Sequence, residues 1–259
     1  MNILKYDINE DVFAFSTFRH GGYSNGTYSS FNVNPYCGDN PTNVLRNRNL
    51  LIDYLGISSE KLIFPHQIHK CKIQQIGQDY LKSSPTQKNN MLEGVDALIT
   101  SLPDYCICVS TADCIPILIY DVTNKVIACI HAGWRGTVAR ICSLVLTKMS
   151  NDYGTIPHDC KAIIGPGISL KNFEVGEEVH DAFSAECFDM KQISERKDKW
   201  HIDLSECNRL QLIDSGINDD KIFVSGICTY DESDDFFSAR KLGLNSGRIL
   251  TGIMIRHNY

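Results

Sequence analysis

The sequence lacks the patterns that mark several common classes of protein. Its 11 cysteines include no CxxC pair, which argues against a structural zinc knuckle, and their odd number argues against a disulfide framework. No apolar run reaches the roughly 18 residues that are needed to cross a bilayer. Residues 1–15 carry acidic groups where a secretory signal has a basic flank. These absences predict a cytoplasmic protein with reduced thiols and no membrane association.

Positive charge and histidine are also scarce. With 25 basic and 31 acidic residues, the net charge of −6 predicts no general binding to nucleic acids, although a local basic pocket for a small anion stays possible. There are eight histidines and no HxH pair, so a multinuclear copper centre is hard to build. The HxE and PCxxC patterns of zinc cytidine deaminases are absent. The 43% hydrophobic content, in contrast, is sufficient for a sizeable core.

Short apolar runs that are typical of strands alternate with helical patterns along the chain. The nearly continuous apolar runs predict strands that are covered on both faces. Residues 81–91 are polar and predict an internal loop. Because no linker divides the chain, we predict one domain, 1–259, with the fold class of an α/β (α+β) layered sandwich around a mixed β-sheet. The predicted strands are 105–110, 115–120, 126–130, 162–164, 222–224 and 249–255, and the predicted helices are 42–55, 137–149, 174–187 and 203–213.

Three segments place reactive side chains next to predicted strands. They are PHQIH at 65–69, STADC at 110–114 and HAGWRG at 131–136. Turns at strand ends are exposed but rigidly held, so they often carry the functional residues of such proteins. Two imidazoles and a thiolate with an open fourth position form the ligand pattern of a catalytic zinc, and copper also accepts these donors. We therefore predict a metal site formed by His69, Cys114 and His131.

Spacing alone leaves two other interpretations of these residues open. A single cysteine or histidine beside a strand is most often a structural residue of the core. The same groups also suit a metal-free mechanism, in which Cys114 is the nucleophile, His131 is the base and Asp113 orients the base. Asp96 and Asp113 are candidates for a general acid, although an aspartate beside a strand end is commonly a structural hydrogen-bond acceptor.

Basic and glycine residues near the turns indicate an anionic ligand. Arg19 precedes a Gly pair at 21–22, and Arg135 lies at the start of a predicted helix, where backbone N–H groups favour an anion. Gly165, in the GPG turn, allows a ligand to approach the backbone closely. The alternatives are surface ion pairs for the two arginines and a plain tight turn for the glycine. We predict substrate contacts from all three residues.

Taken together, the motifs resemble one known family. They are FRHGGYS…SFNV, HQIH, GVDALIT, TADCIPILIYD, HAGWRGT, GPGIS…FEVGEEV and CTY…FFSARK…SGR, and they extend over nearly the whole chain. The chain resembles the YfiH-like laccase-domain family, whose members are also described as polyphenol oxidases or peptidoglycan editing factors. The resemblance implies an α/β sandwich related to Cys-His toxin deamidases, and a metal, mostly zinc, that is bound by His69, Cys114 and His131.

The resemblance also implies an activity and a substrate. It implies phosphorolysis of adenosine, inosine and 5′-methylthioadenosine and deamination of adenosine, so the expected partners are a small nucleoside and phosphate, with the protein as a monomer or homodimer. Arg240 of the FFSARK motif joins Arg19 in the predicted substrate site, while Ala239 stands where the family often has Tyr. The alternatives are a copper-dependent, laccase-like polyphenol oxidase and a metal-free Cys-His amidase in peptidoglycan editing.

Overall fold

The structure, a computed structural model, describes residues 1–256. Within them the chain forms two large mixed sheets, one small sheet and nine α-helices. The strands are β1 (Ile3–Tyr6), β2 (Val12–Thr17), β3 (Leu62–Ile63), β4 (Ile73–Gln75), β5 (Ala97–Thr100), β6 (Cys106–Thr111), β7 (Ile115–Asp121), β8 (Val126–Ala132), β9 (Cys160–Ile164), β10 (Glu174–Val175), β11 (Ser194–Arg196), β12 (Trp200–Ile202), β13 (Ile222–Val224) and β14 (Ile249–Ile255). The helices are α1 (Pro41–Leu55), α2 (Gln78–Lys82), α3 (Pro85–Leu92), α4 (Trp134–Val138), α5 (Ile141–Tyr153), α6 (Glu177–Ala185), α7 (Met190–Ile193), α8 (Leu204–Asp214) and α9 (Ala239–Leu242).

The two large sheets are connected by the turn between β6 and β7. The five-stranded sheet has the order β1-β2-β14-β6-β3, and the six-stranded sheet has the order β13-β9-β7-β8-β5-β4. Strand β6 ends at Thr111 in the first sheet and β7 begins at Ile115 in the second, so Cys114 lies where the chain crosses between them. Antiparallel pairing of β7 with β8 then places Pro116 opposite His131. The topology therefore brings Cys114 and His131 to the same end of the sheets.

The sheets pack face to face as the inner layers of a four-layer sandwich. Leu118 of β7 contributes to the core between the two sheets, whereas its neighbour Ile119 contributes to the core between the six-stranded sheet and helices α5 and α8. On the opposite side, Phe15 of β2 packs in one cluster with Leu51 of α1. Every residue of β6, β7, β8 and β14 is buried, which confirms the prediction of strands covered on both faces.

Local sequence signals determine where the first long helix begins and ends. The side chain of Asn40 accepts hydrogen bonds from the N–H groups of Thr42 and Asn43, which satisfies two donors of the first turn. Gly56 adopts a left-handed conformation with φ 68°, and its N–H bonds the carbonyl of Ile52. Helix α1 therefore ends at Leu55, as the sequence predicts.

The predicted α+β architecture with mixed sheets is confirmed, but one predicted loop is wrong. The predicted strands 222–224 and 249–255 coincide with β13 and β14. Most of the predicted loop 81–91 is helical, because Ser84 and Gln87 form a reciprocal capping box that starts α3 at Pro85. The last residues of the predicted domain, 257–259, lie outside the described part of the chain.

Two predicted helices have different bounds in the structure. The predicted helix 137–149 is divided between α4 and α5, because Arg140 adopts a left-handed conformation with φ 58°. In the predicted helix 174–187, Glu174 belongs to β10 and pairs with His201, so helix α6 begins at Glu177. Among residues 1–256, no helix has the length and apolar character needed to cross a membrane.

Candidate functional site

Three side chains from separate segments converge at the end of the sheets. His69 lies in the loop between β3 and β4, Cys114 lies in the turn between β6 and β7, and His131 lies near the end of β8. Their potential ligand atoms all lie within 4.8 Å of one another. The two imidazole rings are nearly perpendicular, with 4.7 Å between their centroids. The structure thus brings together the residues that the sequence predicted as metal ligands.

A buried carboxylate supports both histidines. Oδ1 of Asp96 lies 2.8 Å from Nδ1 of His131, and the side chain of Asp96 is fully buried. The same carboxylate accepts hydrogen bonds from the backbone N–H groups of His69, at 3.0 Å, and Lys70, at 2.7 Å. Because Nδ1 of His131 is engaged by Asp96, Nε2 is the ring nitrogen that remains for a metal. Asp96 therefore fixes one candidate ligand through its ring and another through its backbone.

Gly133 creates the space that the three side chains occupy. A Cβ atom at this position would lie 3.1 Å from Sγ of Cys114 and 3.2 Å from Cδ2 of His69. Contacts this short would force the side chains of Cys114 and His69 to move. The absence of a side chain, together with two imidazoles and one thiol as donors, fits a site for a single Zn²⁺ or Cu²⁺ ion.

The charges of the cluster favour a thiolate. Burial alone would raise the pKa of Cys114, but the charge and hydrogen bond of His131, together with those of His69, lower it to about 6. Burial would in turn lower the pKa of His131, but Cys114 and Asp96 raise it to about 9. The site therefore has the electrostatic character of a thiolate–imidazolium pair, which a metal cation can replace by displacing the imidazolium proton.

The cluster lies in a cavity of about 210 Å³. Part of the cavity wall is formed by the loop that carries Asn34, Tyr36 and Cys37, and another part by Ala239 and Leu244. Of the described residues that line it, Arg248 is the one with a permanent positive charge. The remaining lining residues are His66, Gln67, His69, Ser110, Thr111, Ala112, Cys114 and His131.

Gln67 connects two of the ligand-bearing segments. Its Nε2 donates to the carbonyl of Ser110 at 2.9 Å, and its Oε1 accepts from the N–H of Ser110 at 2.7 Å. This pair of hydrogen bonds ties the loop of His69 to the last residues of β6, four residues before Cys114. Gln67, which lies between the two histidines of the HQIH motif, therefore has a structural role in joining these two segments.

Asp113 does not have the role that the metal-free mechanism predicted for it. Its Oδ1 accepts from Oγ1 of Thr229 at 2.8 Å, and its Oδ2 accepts from the N–H of Arg240 at 2.7 Å. Both oxygens therefore hold the C-terminal segment against the turn of Cys114, and the group that orients His131 is Asp96. The prediction that Asp113 orients the base is corrected by these contacts.

The predicted substrate-binding arginines lie outside the wall of the cavity. Nε of Arg19 donates to the carbonyl of Ser29, and its NH1 donates to the carbonyl of Ser233. The guanidinium of Arg135 lies 4.1 Å from the ring of Trp134. Substrate contacts from Arg19 and Arg135 therefore stay predictions.

Arg240 and Gly165 are likewise placed for structural contacts. NH1 of Arg240 donates to the carbonyl of Glu174 at 3.1 Å. A Cβ on Gly165 would meet Cγ of Pro116 at 3.0 Å and the hydroxyl of Tyr6 at 3.2 Å, so this glycine permits close packing within the protein. Neither residue lines the cavity, and their contacts with substrate also stay predictions.

Sequence reasoning gave no site role to Arg248 or Gly133 and did not identify the role of Asp96. Each stands in a motif of the chain, namely SGR, HAGWRG and GVDALIT. The motifs therefore contain these residues. The sequence does not show the distances that distinguish a metal ligand from a residue that positions the ligand.

Comparisons with known proteins agree with the fold. Residues 13–256 match the model of a family described as multi-copper polyphenol oxidoreductase laccase. A "Purine nucleoside phosphorylase" of Bacteroides thetaiotaomicron is 51% identical over 93% of this chain and 90% of its own length. An "Adenosine deaminase RL5" from an unknown prokaryotic organism is 40% identical over 94% of both chains. The crystal structure of the Bacillus licheniformis hypothetical protein YfiH has a TM-score of 0.91 at 28% identity, covering 98% of this chain and 96% of that one.

Proposed function

This chain belongs to the laccase-like family that includes YfiH, and from that membership we propose that it is a zinc-dependent enzyme acting on purine nucleosides. The proposed reactions are phosphorolysis of adenosine, inosine and 5′-methylthioadenosine and hydrolytic deamination of adenosine. Two relatives carry the names of a purine nucleoside phosphorylase and an adenosine deaminase, which supports both reactions. We propose that the enzyme acts in the cytoplasm as a monomer or homodimer.

The observation that carries the proposal is the convergence of His69, Cys114 and His131 in the cavity. These three side chains would hold one ion, with Asp96 fixing the two histidines from behind. A divalent ion, when bound, supplies Lewis-acid polarisation of the reacting group. Three ligands match a catalytic site better than a structural one, because structural zinc sites use four protein ligands.

The chain's own residues would bind and orient the nucleoside and the phosphate. Arg248 is held by hydrogen bonds to the carbonyls of Ser246, Gly247 and Leu244, so its charge stays at the cavity wall. A guanidinium in that position attracts phosphate or the charge that develops during phosphorolysis. Tyr36 and Leu244 add apolar surface for the base or ribose.

The decisive experiment combines a product assay with metal analysis. Purified protein is incubated with adenosine, with and without phosphate, and adenine, inosine and hypoxanthine are measured. We expect adenine only when phosphate is present and inosine under both conditions. Cys114→Ser should lose metal and both activities, while Cys37→Ser, at a cysteine of the same cavity, should keep the metal. The absence of all three products from metal-loaded protein would exclude the proposal.

A copper-dependent polyphenol oxidase is the second candidate, and the family's description as a multi-copper polyphenol oxidoreductase favours it. The donors of the site accept copper, but they number three, which suits one ion. The assay is oxygen uptake with a phenol after the metal has been removed and either zinc or copper restored. Oxidation with copper and no nucleoside product with zinc would favour the oxidase.

The third candidate is a metal-free amidase that acts on peptidoglycan precursors. Cys114 interacts with His131, and His131 in turn contacts Asp96. These contacts favour the amidase, because they match a nucleophile, a base and a carboxylate that orients the base. Activity on such an amide that persists after chelation and disappears in Cys114→Ala would support it over the zinc enzyme.

A further inference from the structure

A second cavity lies beside the first one and shares Tyr36 with it. It has a volume of about 360 Å³ and is lined by residues of helices α1 and α3 and of strand β3. Its floor includes Phe64, which follows β3 directly and is 6% exposed. The loop that continues from Phe64 carries His66 and His69 into the metal cavity. The floor of the second cavity and a ligand of the metal site are thus parts of one short segment.

Two cations, Arg48 and Lys88, line this second cavity. The guanidinium of Arg48 lies 4.6 Å from the ring of Phe64, and Nζ of Lys88 lies 5.4 Å from the ring of Tyr80. Among residues 1–256, neither cation has a carboxylate within ion-pair distance or donates a side-chain hydrogen bond. Burial lowers the pKa of Arg48, although Tyr36 acts in the opposite direction, so the charge is held where solvation is incomplete.

Two acidic groups lie near these cations, and the hydrogen bond of Ser58, with a contribution from the charge of Lys88, lowers the pKa of one of them, Glu60. Glu60, on the wall of the cavity, accepts a hydrogen bond from the hydroxyl of Ser58 at 2.7 Å. Glu93 lies 2.8 Å from Nδ1 of His66, whose ring stacks on Tyr36 at 4.4 Å. Two cations against one carboxylate give the cavity wall a net positive charge in a chain whose net charge is −6, which indicates an anionic ligand.

We propose that this second cavity binds the phosphomonoester of a ligand whose other end enters the metal cavity, namely a nucleoside 5′-phosphate. A phosphomonoester carries nearly two negative charges at neutral pH, which matches the two cations, and its oxygens suit the fork of a guanidinium. Tyr36 belongs to both walls, so a molecule that passes it occupies the two cavities together. The placement of the nucleoside part rests on the proposed function, whereas the phosphate site rests on Arg48 and Lys88 alone.

The test compares the binding of three ligands by calorimetry at low salt: adenosine 5′-phosphate, adenosine and inorganic phosphate. The metal-loaded protein should bind adenosine 5′-phosphate about tenfold more tightly than either other ligand, the gain expected from charge-assisted hydrogen bonds. Arg48→Gln should remove most of that gain and leave adenosine binding unchanged. Lys88→Gln, on a different helix, is a second variant that keeps the test valid if Arg48→Gln folds poorly.

The matched control is Arg46→Gln. Arg46 lies on the same helix as Arg48 and stacks on Tyr23 at 3.5 Å, but it lines neither cavity. An equal loss in Arg46→Gln would show that net charge alone is responsible and would overturn the proposal. Binding of adenosine 5′-phosphate no tighter than that of adenosine, or no tighter than that of inorganic phosphate, would overturn it as well. If adenosine does not bind but adenosine 5′-phosphate still requires Arg48, the subsite stands and the proposed nucleoside chemistry fails.

Discussion

Asp96 and His131 form a buried pair in which Oδ1 and Nδ1 are 2.8 Å apart, and the side chains are 0% and 2% exposed. The contact orients the ring, and further hydrogen bonds from Asp96 to the backbone of His69 and Lys70 position the neighbouring loop. Burial alone would raise the pKa of Asp96, but the hydrogen bond and charge of His131 and the two backbone N–H groups lower it below its ordinary value, which favours the carboxylate form. The geometry of the candidate metal site therefore depends on a residue that is not itself a predicted ligand.

Asp96→Asn should weaken metal binding without removing a ligand. We expect affinity for Zn²⁺ to fall by about 10- to 100-fold, the usual effect of losing the partner of a histidine ligand. The measurement is a competition titration with a chromophoric chelator. Asp121→Asn is the control, because Asp121 is also buried and accepts N–H groups of Thr123 and Asn124, but lies far along β7 from the site. Equal losses in both variants would contradict the supporting role of Asp96.

Gly133→Ala should disturb the ligands by direct contact. The added methyl group would meet Sγ of Cys114 at 3.1 Å and Cδ2 of His69 at 3.2 Å, and overpacking of this kind costs roughly 1–3 kcal/mol. We expect weaker Zn²⁺ binding together with a small loss of thermal stability. Gly77→Ala is a matched control, because its Cβ would meet nothing closer than 3.7 Å. Unchanged metal affinity in Gly133→Ala would mean that the ligands do not occupy this space.

Removal of the metal should lower the thermal stability of the protein. An ion bound only by the folded state stabilises it by about 4 kcal/mol when its concentration is a thousand times the dissociation constant. Chelation should therefore shift the melting temperature of the wild-type protein downward by several degrees, as differential scanning calorimetry would show. Cys114→Ser should melt at the same temperature with and without chelator. A chelator effect that persists in Cys114→Ser would place the ion at another site.

Arg248→Gln should impair phosphorolysis more than Arg240→Gln. Arg248 lines the metal cavity, whereas the guanidinium of Arg240 bonds the carbonyl of Glu174 outside it. Loss of one hydrogen bond to a charged group, about 1.5–3 kcal/mol, would lower kcat/KM for phosphate by roughly 10- to 100-fold. Steady-state kinetics with varied phosphate distinguish the two variants. If Arg240→Gln has the larger effect, the substrate contact predicted from the sequence is correct and Arg248 has a structural role.

Much of the fold could be predicted from residue patterns, because strand runs and helix caps are formed by residues that are close together in the sequence. The apolar runs at 222–224 and 249–255 have the lengths of β13 and β14. Helix α3 was missed because its residues are mostly polar and lack a helical apolar stripe, so only the capping box at Ser84 and Gln87 indicated it. The break at Arg140 was missed because a left-handed conformation is uncommon for arginine, and the residue type gives no signal of it.

Residue types alone predicted the class of the fold and the three donors of the candidate site, because apolar runs and motifs can be recognised along the chain. Which residues support these donors, and which lie apart from them, became visible in the folded chain. Asp96 lies 35 positions before His131, and Arg248 reaches the cavity from just before β14. Arg19 and Asp113 turn instead to structural partners. These contacts could not be predicted, because hydrogen bonds and cavity walls depend on distances across the two sheets. Spacing along the chain gives no information about those distances.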